Sequence, residues 1–218
     1  MSAWLVKSLH PVIELVHYAL WWVGCSNTYY VLGSILSKNA ATTNSAGNRL
    51  RVATLVITAA VVVLLCALLL QDFSVTYVAA HSSTWQSPLY RAASMWAGNE
   101  GSWLVWCWLH SLVFLHVTQI IQHREISDLA LRIQLLLWWY LLLYANPFLR
   151  NLPIAPFQGA DLHPSLHTGS MLWHPPLLYL GHAALSAPGL YYAYAIRDTT
   201  CWSDKQWQRN ADRWSLLA

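Results

Sequence analysis

Residues 52–70 read VATLVITAAVVVLLCALLL, an uninterrupted apolar run without one charged side chain. A bilayer's hydrocarbon core is about 30 Å thick and needs about 20 apolar residues of helix to cross it. The run is apolar on every face, so it has no polar side to turn toward water, and it reads as a membrane span rather than a surface helix. Working outward from it, four more segments have comparable length and character: about Pro11 to Leu36, about Ser102 to Ile121, Leu129 to Ala145 and Pro175 to Ile196. The first is interrupted by the polar patch Ser26, Asn27 and Thr28. Trp214 to Ala218 looks like the opening of a further hydrophobic segment, truncated. The expected fold class is therefore all-α, a polytopic integral membrane helix bundle of about five transmembrane helices plus a truncated sixth. Residues 1–218 are expected to form a single membrane domain, with Ser37 to Asn48 as its one flexible linker.

Composition agrees. Apolar residues make up 56% of the chain and charged ones only 10%, which excludes an ordinary water-soluble surface. The net charge of +3 comes from scattered basic residues, so no clustered footprint for nucleic acid is present. Cys25, Cys66, Cys107 and Cys201 fall in separate segments without CxxC spacing, which argues against a zinc site or a disulfide framework. Lys7 precedes an apolar run, but no small-residue cleavage site follows, so this run is expected to be an uncleaved span. The spans also lack paired Gly/Pro-interrupted helices in corresponding halves, which disfavours a small-solute transporter.

Orientation follows from the basic residues of the short loops, which are retained on the cytoplasmic or matrix side. Lys38, Arg49, Arg51, Arg124, Arg197, Lys205, Arg209 and Arg213 fall on one side; Lys7, Arg91 and Arg150 fall on the other. The loops Gln71–Gly101 and Asn146–His174 then share the outer face, toward a periplasm or intermembrane space. Arg132 near the inner surface is expected to snorkel. His110 and His116 share the third span, but six residues apart they lie on different helix faces and cannot act as one ligand pair. Glu14 and His17, three apart, are expected to bond each other. Structural roles are expected for all of these.

The outer loops carry the chemistry. Asp161 to His182 reads DLHPSLHTGSMLWHPPLLYLGH, a proline-broken loop with three histidines that runs into an apolar helix. Pro175 and Pro176 suit a first helical turn, which makes His174 the expected cap residue at a membrane surface. The positive end of a helix dipole favours neutral imidazole, the form that ligates metal, and attracts anionic groups. An axial ligand to haem iron needs both properties and a flat apolar neighbour, which Trp173 supplies. The plain alternative is a helix start with an exposed histidine.

Three segments recur in one order: DFSVTYVAAH at 72–81, WAGNEGSWLVW at 96–106, and NPFLRNLPIAPFQGADLHP at 146–164 followed by MLWHPPLLYLGH. In order and spacing they resemble the N-terminal part of CcmF, the membrane subunit of the cytochrome c haem lyase of maturation System I, and its NrfE-type relatives. The resemblance spans Gln71 to Ala218. It implies that His174 is an outward-facing axial ligand of the haem to be attached. Where the family shows WGGHEGS, Asn99 replaces the histidine. His163 and His167 stand where Asn and Gln are common; they are expected to be solvated loop residues, with extra ligation as the alternative.

The family's second outer histidine, its intramembrane histidine pair for a permanent haem b and its tryptophan-rich WWD loop lie beyond the segment resembling RWSLLA, Arg213 to Ala218. The resemblance thus implies the first piece of a split lyase subunit, an enzyme part inactive alone. Its cofactor is haem, as substrate and as a group bound with the partner chain. The implied partners are a second CcmF-like polypeptide carrying the WWD loop, CcmH-like and CcmE-like proteins, apocytochrome c with its CxxCH thiols, and membrane lipid. From residue chemistry, His174 is expected to fix the iron, Trp173 and Trp96 to pack on the porphyrin, and Arg150 or Arg91 to pair with propionates. The alternative is a non-catalytic scaffold or haem conduit that kept the fold. The expected location is the mitochondrial inner membrane, with a bacterial inner membrane as the alternative.

Overall fold

The computed structural model describes residues 3–36, 43–121, 123–151, 154–196 and 198–217. The chain is all-helical: α1 Ala3–Leu36, α2 Thr43–Leu70, α3 Thr76–His81, α4 Pro88–Ala93, α5 Asn99–Ile121, α6 Arg124–Tyr144, α7 His174–Ala195 and α8 Lys205–Leu217. Among the described residues the one strand-like pairing is an isolated bridge between Val75 and Arg150. Among the described residues, three segments are long and apolar enough to cross a membrane, Ser45–Leu70, Asn99–Ile121 and Arg124–Tyr144. α1 and α7 have 34 and 22 residues, enough at 1.5 Å per residue to reach across the bilayer. The five expected spans therefore correspond to three helices of spanning length and hydropathy and two more of spanning length.

α5 is the central element, touching α2, α6 and α7, while α1 lies against α2 and α6. The half of the core nearer the motif loops joins Leu20 and Val23 of α1, Ile57, Leu64 and Leu68 of α2, Leu104 of α5 and Trp138 and Leu141 of α6. The other half joins Phe114 and Val117 of α5, Ile126 and Leu131 of α6, Leu190 and Tyr191 of α7 and Ala211 of α8. Lipid tails are as apolar as Leu, so what holds such helices together is close packing and interhelical hydrogen bonds. Trp138 Nε1 donates to the Leu20 carbonyl at 2.9 Å, Trp103 Nε1 to Leu137 O at 3.1 Å, and Gln134 Nε2 to Ser111 Oγ at 2.6 Å.

The structure revises four local expectations. α1 runs straight through Ser26–Thr28, because each polar group there is satisfied: Thr28 Oγ1 donates to Gly24 O, and the Arg49 guanidinium donates to Ser26 O, Ser26 Oγ and Asn27 Oδ1. His17 bonds Trp21 and Asn146 rather than Glu14, with Trp21 Nε1 donating to His17 Nε2 at 3.1 Å. The helix turns Glu14 outward while His17 faces α6. α2 begins at Thr43, so only residues 37–42 of the expected linker precede it, and these lie outside the described residues. Trp214–Leu217 forms the last turn of amphipathic α8, whose Trp207 and Trp214 pack on the second half of the core while Lys205, Arg209 and Arg213 are exposed.

Both motif-bearing loops meet at one end of the bundle. Thr76 N donates to Leu149 O and Asn151 N to Ser74 O, each at 2.8 Å, and Ala160 N donates to Ala79 O at 2.7 Å. Gly159 is required at this crossing, since a Cβ there would stand 2.0 Å from the Ser82 carbonyl oxygen.

Candidate functional site

The site is assembled where the WAGNEGS segment, the turn before α7 and the Val75–Arg150 bridge converge at that end. Its foundation is Tyr77, which is 4% exposed. The Tyr77 hydroxyl donates to Ser94 O at 2.8 Å and accepts from Gly98 N at 3.1 Å, and its ring lies on His81 with centroids 4.4 Å apart. Burial pushes the Tyr77 phenol well above its ordinary value, so it stays protonated and able to donate. The glycines of the motif make this possible. A Cβ on Gly98 would sit 2.4 Å from His81 Nε2, and one on Gly101 would sit 2.1 Å from Met95 O and 2.4 Å from the Tyr77 oxygen. That the two segments interlock through Tyr77 is not evident from their order along the chain; the two motif glycines are the signal in the sequence.

Trp96 is half-buried and its indole Nε1 donates to Met171 O at 2.7 Å. Met171 belongs to the short turn Gly169–Leu172 that delivers Trp173 and His174. Trp96 thus fastens the α5 motif to the start of α7. Trp173 caps α7 in a non-helical conformation, φ −130° and ψ −30°, and His174 is the first helical residue. The expected cap falls one position early because the bend comes at Trp173, leaving His174 to join Pro175 and Pro176 in the first turn. His174 is exposed, Trp173 is 57% exposed, and their rings stand perpendicular with centroids 6.0 Å apart.

Arg150 sits on the bridge to Val75, and its Nε and Nη1 are buried with no acceptor. Such donors are normally paired, and a guanidinium with two of them unpaired is suited to an anionic acceptor. Arg91 shares part of this pattern: its Nη2 donates to Thr84 O at 3.1 Å while its Nε is buried without a partner. The same end carries exposed apolar groups, Trp85, Ile154 and Phe157.

The remaining histidines separate by environment. His163 Nδ1 bonds Ser165 Oγ at 2.7 Å, and His167 stands 3.9 Å from Asp161 and stacks on Tyr90; both are exposed in the loop and directed to local partners. His110 is buried and donates through Nδ1 to Trp106 O at 2.9 Å, whereas His116 is exposed beside Trp214. They occupy different faces of α5, as their spacing requires. Asn99 opens α5 and lines a cavity of about 160 Å³ with Trp103, Trp106, Tyr179 and His182.

In chemical terms this end offers an exposed imidazole at the head of α7, an indole face beside it, and a guanidinium with two unpaired N–H donors. That donor set fits an iron porphyrin with carboxylate substituents. It lies on an open surface, so a second surface is needed to enclose a group that large.

Residues 96–218 match the profile of a family described as Cytochrome C assembly protein. The chain is 34% identical to the cytochrome c-type biogenesis protein CcmF of Escherichia coli (strain K12), over 73% of this chain and 25% of that protein. It is 30% identical to the cytochrome c-type biogenesis protein CycK of Rhizobium meliloti (strain 1021), over 95% of this chain and 32% of that protein. A solved structure, "Cytochrome c Heme Lyase CcmF", superimposes with a TM-score of 0.71 at 23% identity, covering 94% of this chain and 33% of that one, and so shares its fold. The chain spans a quarter to a third of the length of these relatives. A bundle of membrane-crossing helices, with a family match over residues 96–218 and a fold shared with a relative, thus places this chain in the cytochrome c assembly protein family.

Proposed function

We propose that this chain is the haem-binding first part of a cytochrome c haem lyase subunit, which works with a second CcmF-like polypeptide carrying the WWD loop. The observation that carries the reading is the exposed His174 at the head of α7, held there by the Trp96 to Met171 hydrogen bond and flanked by exposed Trp173. His174 would ligate the iron and Trp173 would lie against the porphyrin. Arg150 would pair with a propionate through the two donors that now lack acceptors. Trp96 acts as a positioning residue, because its indole N–H is committed to the turn. Haem supplies two vinyl groups, and each CxxCH thiol of apocytochrome c adds across one: sulfur bonds one vinyl carbon, the thiol hydrogen goes to the other, and no oxidant is consumed. The chain's own contribution is orientation and axial ligation, which gather the reactants into one geometry.

CcmH-like and CcmE-like proteins and apocytochrome c complete the proposed partners. The open face at His174 supports inactivity of this chain alone. The proposed location is the mitochondrial inner membrane, with the bacterial inner membrane as the alternative that the bacterial relatives support. Asn99, in place of the histidine common at that position, favours a second reading, a scaffold or haem conduit without chemistry. The test is a haem titration of the reassembled complex followed spectroscopically, with cytochrome c maturation scored in parallel. His174→Ala is expected to abolish the imidazole-ligated spectrum and maturation together. Retention of both would remove the ligand role, and haem binding by the wild type with no thioether formation would favour the conduit.

A further inference from the structure

The face of α7 that carries His174 continues down the helix. At about 100° per residue, His174, Leu178, His182, Leu185 and Gly189 fall within an arc of about 80°, and all five are exposed. The opposite side of α7, with Ala183, Ala187 and Leu190, is buried against the rest of the bundle. Leu178 and Leu185 are at home in lipid, but His182 is polar. Gly189 leaves a notch, because nothing lies within 4 Å of the place a Cβ would take.

His182 stands about 12 Å along α7 from His174. It lines a cleft of about 160 Å³ with Trp103, Trp106 and Tyr179. Trp106 lies about 11 Å inside α5, which is one of the spanning segments, so the imidazole sits at the depth of the hydrocarbon. Among the described residues it makes no hydrogen bond. Ionisable side chains within spans almost always face a bundle interior or a water-filled cavity, since hydrocarbon offers them no partner. Lipid is therefore a poor cover for this face. The cleft beside it is about half the size at which small-molecule sites begin and close to the space a single benzene ring fills, so it has room for one side chain rather than a separate ligand.

A helix satisfies all three features. Positions 178, 182, 185 and 189 repeat with the four-three spacing of the seam between two helices that cross at about 20°. Small residues in such a seam let backbones approach, and polar ones hydrogen-bond across it. The relatives narrow the source. This chain superimposes over 94% of its length on 33% of the solved CcmF chain, so most of that chain has no counterpart here. The same face is headed by His174, where a second surface is needed to enclose haem. We infer that the face of α7 from His174 to Gly189 seats a transmembrane helix of the second CcmF-like polypeptide, which sets a hydrogen-bonding side chain opposite His182 and a bulky apolar one over Gly189. The inference rests on the split-subunit reading and adds to it where the two pieces join.

The test is co-expression of the tagged full chain with the second CcmF-like polypeptide in one membrane. A photo-crosslinking benzoylphenylalanine is placed at Leu185 and, as control, at Leu15 of α1, which lies against α2 and α6 instead. Crosslinks to the second polypeptide are expected from the first position and not from the second. Gly189→Leu fills the notch and should cut the co-purified partner about tenfold. His182→Leu should cut it about threefold, the size of an average interhelical hydrogen bond in a membrane. Both variants should melt like the wild type when expressed alone, because both positions face outward. His174→Ala should lose the haem spectrum and keep the partner, which separates ligation from docking. Crosslinks from position 185 to lipid alone or to a second copy of this chain overturn the assignment, as does unchanged capture by both folded variants. A wild type that captures no second polypeptide overturns the split-subunit reading itself, and the seat with it.

Discussion

Gly101→Ala places a methyl group where the structure has no room for one. The new Cβ would stand 2.1 Å from Met95 O and 2.4 Å from the Tyr77 oxygen, against about 3.4 Å for ordinary contact. The Met95 oxygen belongs to the backbone and Tyr77 is buried, so neither can swing aside cheaply; one must retreat by roughly an ångström. Overpacking of that kind costs about 1–3 kcal/mol. Displacing the Tyr77 hydroxyl from Ser94 O and Gly98 N strands buried polar groups, at about 1–3 kcal/mol more. With partial relaxation, a loss of about 2–4 kcal/mol is expected. The assay is denaturant unfolding in mild detergent, followed by tryptophan fluorescence. Gly189→Ala is the internal control, because nothing lies within 4 Å of its new methyl and α7 should gain about 0.5–1 kcal/mol there. A Gly101→Ala protein within about 0.5 kcal/mol of wild type would refute the claim that the two motifs are locked through Tyr77.

Arg150→Ala should leave the stability of the isolated chain unchanged or slightly raised, since two of its buried donors have no acceptor to lose; haem affinity of the reassembled complex should fall tenfold or more, read by spectroscopic titration. Trp96→Phe should weaken haem binding while leaving the axial-ligand spectrum of the bound fraction intact, because it removes the hydrogen bond to Met171 O and not a ligand. Hydrogen bonds from Thr200 and Tyr194 hold the Asp198 carboxyl below its ordinary range, so its contribution is present above the unfolded carboxyl range and lost as pH falls through the folded value. Asp198→Asn should flatten that acid limb in a pH series of melting curves. Tyr77 moves the other way: its folded value lies above the ordinary 10.0, so its contribution is full below pH 10.0 and declines as pH rises beyond it. Tyr77→Phe should remove that alkaline decline in the same series.

His17 shows how far sequence spacing reaches. Spacing correctly places Glu14 and His17 one turn apart, yet which neighbour the imidazole bonds depends on α6 lying against α1, and there Asn146 and Trp21 take both nitrogens. Trp96 gives the same lesson at the site. Its presence in the motif marks it as important, but only the fold shows its indole N–H bonded to a carbonyl 75 residues away, which ties the α5 motif to the turn before α7.

From the sequence alone come the helical membrane class, the shared end of the two motif loops, the opposite faces of His110 and His116, and the position of His174 at the head of a helix. Hydropathy, proline placement and residue period are properties of consecutive residues, so they survive without knowledge of distant neighbours. Only the tertiary structure decided that Tyr77 is clasped by Gly98 and Gly101, that Arg150 has idle buried donors, and that His182 shares a cleft with Trp103, Trp106 and Tyr179. These depend on which atoms packing brings together across the bundle, and hydrogen-bond partners chosen over such separations leave no local pattern along the chain.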